Sequence, residues 1–238
     1  MRAMTSTDDT ERGDSTGAKG QVEQVALDRQ QAAFARRMAE SKATAPHFYL
    51  GVEVEMSEAL AVRDGADATI NDLLLRAAAL ALAEVPRVNG AYRDGQVEIY
   101  SQINLSFAVA DDASVVFPTI FEADRKPLGE IAKETKILVG KARDGTITAP
   151  EFSGGTFTVS NLGMHGVDRY TPILNPPQAA TLGASAVRER SVSQGGEGVE
   201  PRPTLPLELA CDHRILIGPD AARFLGCLRA HLEDPSSL

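Results

Sequence analysis

The residues able to do proton chemistry are few, and their neighbours separate them. Four histidines occur, at positions 47, 165, 213 and 231. A neutral imidazole with an ordinary pKa near 6.5 can take a proton at neutral pH, so each is a candidate general base. His231 lies late in the last apolar-periodic stretch, where a helix dipole favours a cation, and that accounts for it without catalysis. His47 follows Pro46 at the start of an alternating segment, where packing suffices. His165 stands in a glycine-flanked turn, Gly163-Met164-His165-Gly166. His213 differs. It stands just past an apolar run, between Asp212 and Arg214, at an edge where polar groups reach solvent or a ligand. Cys211 and Cys227 are too few for a disulfide framework, and their spacing lacks a metal-knuckle pattern.

These residues need a scaffold, and the hydrophobic period supplies one. Residues 1–24 are polar and rich in Gly, Ser and Thr, so they cannot bury enough surface to offset ordering entropy and read as a disordered tail. Asp28 followed by Gln31 is a capping-box spacing that starts a helix, which Pro46 ends. Phe48, Leu50, Val52, Val54 and Met56 then alternate with other residues, as in a strand with one buried face. Thr69 with Asp72 opens a second helix, LLLRAAALALAEV, apolar on nearly every side and therefore covered on most of them. Short β segments follow near 96–100, 103–110 and 115–121, with a turn at Arg93-Asp94-Gly95. A third helix runs from about Pro127 to Arg143, with Gly145 beyond its end. Thr156 to Ser160 and Ala179 to Ala186 read as buried strands. The stretch from Arg188 to Pro203 reads as a solvent loop or a long hairpin. A last strand, Leu205 to Cys211, leads to Asp212-His213, and a final helix covers about Asp220 to Leu232. No regular βαβ rhythm is present, which argues for an open mixed sheet with helices packed on it.

The bulk numbers narrow the class. The 238 residues carry a net charge of −9, which disfavours a broad nucleic-acid surface. No apolar run reaches about 18 residues and no apolar signal core opens the chain, so a membrane span and secretion are not expected. The expected location is the cytoplasm. Hydrophobic residues at 43% permit one substantial core, and the absence of tryptophan makes it mostly aliphatic.

Several motifs in order then carry a resemblance. They are ARRMAESKATAPHFYL (35–50), PRVNGAY, VVFPTIFEADRKPLGEIA, GGTFTVSNLGMHGV (154–167), NPPQAATLGAS (175–185) and ACDHRILIGPDAARFL (210–225). Together they resemble the catalytic domain of the dihydrolipoamide acyltransferases, the E2 components of 2-oxo acid dehydrogenase complexes. That family shares its fold with chloramphenicol acetyltransferase. The resemblance implies an α/β two-layer sandwich, a mixed open sheet with helices packed on it, over residues 25–238 and assembled as a homotrimer. It implies His213 as the catalytic base and Ser160 as its partner, although before Asn161 a serine also serves as a turn-capping hydroxyl. The implied reaction is thioester exchange between coenzyme A, a substrate, and a dihydrolipoyl thiol. No metal is implied. The serine of one subunit would face the histidine of the next. His47, Phe48, Asn89, Asn161 and Met164 are the candidate substrate- and coenzyme-A-lining groups. Arg125 and Lys126 are candidates for coenzyme A phosphates, or simply solvated charges.

Departures from the family pattern leave alternatives open. The family motif places an aspartate four residues after its histidine, and Ile217 occupies that position here. Asp220 is better explained as a helix cap than as its replacement. The chain shows no lipoyl domain, so the lipoyl group is expected on a separate carrier, a lipoylated protein. Its polar end, Glu233 to Leu238, suggests trimers that do not assemble further. Two rival readings follow: transfer to an amine or hydroxyl of a small molecule, and an inactive trimeric scaffold.

Overall fold

The computed structural model describes residues 20, 22–110, 115–193 and 199–238. The tail expected over residues 1–24 lies outside these residues except for 20 and 22–24. Helix α1 (Arg29–Thr44) starts at the capping box formed by Asp28 and Gln31, with Gln31 N–H donating to Asp28 at 2.8 Å. Such caps are worth about 1 kcal/mol. Strand β1 (His47–Glu55) follows, then a helix that the periodicity did not announce, α2 (Ser57–Ala66). It begins directly after the strand at Met56 with no side-chain cap, so no start signal marks it.

Helix α3 (Ile70–Glu84) opens on the Thr69–Asp72 capping box and buries Leu73, Leu74, Leu75 and Leu82 completely. Each fully buried leucine contributes about 2 kcal/mol, which makes this helix the centre of the core. Two short strands, β2 (Gly90–Arg93) and β3 (Gln96–Ile99), form a hairpin across Asp94-Gly95, both at positive φ. Strands β4 (Leu105–Phe107), β5 (Val109–Ala110), β6 (Val115–Val116) and β7 (Thr119–Ile120) lead to helix α4 (Leu128–Arg143). Pro127 sits at its N-cap, and Gly145 takes the left-handed conformation beyond its end.

The chemistry-bearing strands come last. They are β8 (Phe157–Asn161), β9 (Ala180–Ala184), β10 (Arg188–Ser193) and β11 (Val199–Asp212), before helix α5 (Gly218–Glu233). Residues 188–193 and 199–203 are therefore paired strands rather than a loop. Strands β10 and β11 pair antiparallel, with Arg188 opposite Thr204. The seven-stranded sheet runs β1-β11-β9-β8-β4-β7, with β10 alongside the first half of β11. Pairings of β8 with β9 and with β4 are parallel and the rest antiparallel, so the sheet is mixed, as expected.

One face of this sheet is sealed. Leu205, Leu207, Leu209 and Cys211 of β11 point into the main core with α3, α5 and Phe157. On the opposite face, among the described residues, Ala45, Leu174 and Ala210 form a small cluster against Tyr49. Gly51 and Glu53 are exposed there and Glu208 is half-buried. Among the described residues no helix is long and apolar enough to cross a membrane.

Candidate active site

The sheet delivers His213 and Ser160 by different routes. Strand β11 ends at Asp212, whose buried carboxylate builds the turn that follows. Its Oδ1 accepts the Arg214 main-chain N–H at 3.0 Å and Arg214 Nε at 2.9 Å, and its Oδ2 accepts the Arg214 terminal nitrogen at 2.6 Å. These bonds raise the Arg214 pKa further, and the guanidinium lies 4.2 Å over the Tyr92 ring. His213 between them is pinned by its main chain, with its N–H donating to Pro46 O at 3.0 Å. Its ring is exposed and rests against Phe48, centroid to centroid 4.4 Å.

The turn after His213 has a second clamp, from a residue 128 positions away in sequence. Arg87 Nε donates to Ile215 O at 3.1 Å and lies 3.4 Å from Asp220 Oδ2. Asp220 is the third residue of α5, with its carboxylate 3.5 Å from the Ile217 main-chain nitrogen. It therefore does more than cap the helix. Ile217, at the position where the family pattern has aspartate, is the N-cap residue and 54% exposed.

Ser160 is the fourth residue of β8, half-buried, and its hydroxyl meets the Tyr170 hydroxyl. The chain then bends sharply. Asn161 Oδ1 accepts the Gly163 N–H at 2.8 Å, and Leu162 N–H donates to Ala184 O at 3.0 Å. Ser160 opens onto a cavity of about 990 Å³ whose walls include Phe34, Met38, Phe107, Val139, Met164 and Tyr170. An apolar cleft of this size suits a long, thin organic substrate.

The four histidines now separate on their bonds. His47 Nδ1 lies 2.8 Å from Ala45 O and its Nε2 accepts the Leu174 N–H at 3.1 Å. Burial pushes its pKa below the ordinary value, with the Ala45 bond opposing. Both nitrogens are committed, so His47 is a clamp between β1 and residue 174 rather than a lining group. His231 is likewise engaged, by Glu84 at 2.6 Å and Ser237 at 2.9 Å. His213 and His165 alone keep both ring nitrogens free among the described residues.

Of the other lining candidates, Phe48 touches His213, while Asn161 and Met164 stand on the wall of the Ser160 cavity. Asn89 is elsewhere. It is buried and donates to Tyr100 O and Gln102 O, which ties down the β2–β3 hairpin. Arg125 and Lys126 pair with Glu122 and Glu134, each at 2.5 Å. On the cavity wall, Lys136 and Arg143 of α4 have no ion-pair partner among the described residues, and no reading of the sequence singled them out. Burial pushes the Cys211 thiol up to about 12, so it is no nucleophile.

Ser160 and His213 do not meet within one chain. Ser160 lies opposite Gly183 of β9, whereas Cys211 lies opposite Ala180. Continuing that register puts the two about five strand positions apart, roughly 17 Å along the sheet, plus two strand spacings of about 4.8 Å each across it. No single acyl carbonyl spans that gap.

Comparison with known proteins agrees with this architecture. Chloramphenicol acetyltransferase shares the fold at 15% identity, with a TM-score of 0.53 over 83% of this chain and 94% of the other. The dihydrolipoamide acetyltransferase of Azotobacter vinelandii superposes with a TM-score of 0.85 at 29% identity, over 99% of this chain and 98% of that one. That structure was solved to investigate a serine, a histidine and an asparagine in its catalytic mechanism. The dihydrolipoyllysine-residue acetyltransferase component of the pyruvate dehydrogenase complex of Rickettsia bellii is 34% identical over 212 residues, 85% of this chain and 50% of the relative. The chain thus spans about half the length of the curated relatives it matches. Residues 19–238 match the catalytic domain of the 2-oxoacid dehydrogenase acyltransferases, and it is to this family that the chain belongs.

Proposed function

We propose that the chain catalyses acyl transfer between coenzyme A and a dihydrolipoyl thiol, at a site shared between copies in a homotrimer. The observation that carries this reading is the separation of Ser160 and His213 on one sheet, with the ring nitrogens of His213 free of bonds to the described residues. A second copy placing its His213 opposite Ser160 would complete the pair. The sheet face bearing Glu53 and Glu208 is open enough to meet such a copy.

The chemistry follows from the groups. A thiol with a pKa of about 8.5 is mostly protonated at neutral pH, so it needs a base as it attacks. His213 takes that proton while sulfur adds to the thioester carbonyl. The carbonyl oxygen becomes an oxyanion, to which the Ser160 hydroxyl donates; one such donor is worth about 3 kcal/mol in the transition state. Collapse breaks the old carbon–sulfur bond, and the histidine returns the proton to the departing thiolate. The apolar cavity at Ser160 fits a thiol-bearing arm, and Lys136 and Arg143 on its wall offer positive charge to phosphates. The lipoyl group would arrive on a carrier outside residues 25–238.

The test is thiol release from a panel of acyl-CoAs, with and without dihydrolipoamide, for wild type and His213→Ala. Turnover that needs dihydrolipoamide and disappears in the variant supports the proposal. Turnover with small amines or alcohols instead, or silence with every donor, overturns it.

A further inference from the structure

We infer that Tyr170 is a positioning residue for Ser160, acting on both the main chain and the side chain of the serine. The inference rests on the catalytic reading of Ser160 above. The Tyr170 hydroxyl donates to Ser160 O at 2.5 Å, and the Ser160 side chain and the Ala184 main chain also bond to it. Its ring is largely buried, and that burial raises its pKa, so at neutral pH it remains a donor.

The bond falls where the sheet needs it. Strand β8 pairs with β9 as far as Asn161 opposite Ala184, and the chain then turns away. The Ser160 carbonyl thus lies one peptide before the last bond between the two chains, Leu162 N–H to Ala184 O. The Tyr170 hydroxyl reaches both strands there and holds the Ser160 carbonyl. The carbonyl and the side chain leave the same Cα, so fixing one limits the swing of the other. An oxyanion donor works only if it is aimed before the charge develops, within about 0.5 Å.

Gly183 makes the arrangement possible. It lies directly opposite Ser160, and a Cβ there would come within 3.1 Å of Tyr170 Cζ and 3.0 Å of Pro172 Cδ. Any side chain at 183 would lift the ring off the strand and draw its hydroxyl from the serine.

The experiment uses the assembled protein and Tyr170→Phe, which keeps the ring and removes only the hydroxyl. It should lower kcat about fivefold, the worth of one hydrogen bond, with KM for coenzyme A little changed. In a Ser160→Ala background the same change should do nothing further, because its effect passes through the serine hydroxyl. Gly183→Ala should reproduce the pattern. Equal losses in both backgrounds, or no loss in either, overturn the inference. A readout independent of turnover is hydrogen exchange at the Ala184 amide, which should quicken in Tyr170→Phe. Unchanged exchange refutes the bond even if the wild type transfers no acyl group, an outcome that by itself would refute only the proposed reaction.

Discussion

Asp212 and Arg214 meet through both carboxylate oxygens, at 2.9 and 2.6 Å, across the residue proposed as the base. The carboxylate is buried, while the arginine side chain is 30% exposed, so water recovers part of what the pair contributes. Asp212→Ala should therefore lose about 2 kcal/mol of stability rather than the larger value of a fully buried pair. Asp212→Asn keeps the acceptor for the Arg214 N–H and should lose less. Denaturant unfolding of both variants checks the order, and equal losses would contradict it.

His47 predicts a pH dependence of stability. Its pKa is depressed in the folded protein, by burial first, so folding favours the neutral ring. That contribution is fully present above the unfolded value near 6.5 and is lost as pH falls through the lower folded pKa. The stability gap between wild type and His47→Gln should be widest at about pH 8 and shrink towards about pH 5. A gap that widens on acidification would show the sign to be wrong.

Ile217 and Arg87 predict opposite outcomes. Ile217 is 54% exposed, and the carboxylate beside Arg87 belongs to Asp220, so Ile217→Asp should change stability by less than about 0.5 kcal/mol. Its kcat should stay within about twofold, since Arg87 already has its carboxylate in Asp220. Arg87→Met leaves Ile215 O and Asp220 without their partner and loosens the turn behind His213, so its kcat should fall several-fold. A marked gain in Ile217→Asp would mean that the missing aspartate limits this site.

Gly163 holds the bend after Ser160 close to the next strand. A Cβ there would stand 2.4 Å from Ser185 O, a main-chain atom that cannot swing aside. Gly163→Ala should destabilise by roughly 1–3 kcal/mol, as overpacking does, and reduce activity together with stability. Unaltered unfolding would show that the bend is free to shift.

The local signals of the fold were legible because they are short-range. Asp28 with Gln31 and Thr69 with Asp72 lie three residues apart, and both capping boxes form. Helix α2 was not legible, because it starts against β1 with Met56 as an uncapped N-terminus. The hairpin of β10 and β11 was half hidden by Pro201 and Pro203, which read as loop residues although they sit within β11. At the site, His213 stood out by its place after a strand, and the family motifs supplied Ser160. His47 read as a packing residue or a lining group, and its two main-chain partners, one of them 127 residues away, make it a clamp. Tyr170, Arg87 and the wall cations Lys136 and Arg143 left no trace in the sequence. Their roles come from contacts that no periodicity encodes.

The most direct test of the account is complementation between inactive subunits. His213→Ala and Ser160→Ala chains, each deficient alone, are co-expressed in equal amounts and assayed for acyl transfer. If one copy supplies the base and its neighbour the hydroxyl, about one quarter of the sites in random trimers regain both groups, and activity recovers to roughly that fraction. Recovery no greater than the sum of the two separate variants would contradict a site shared between copies.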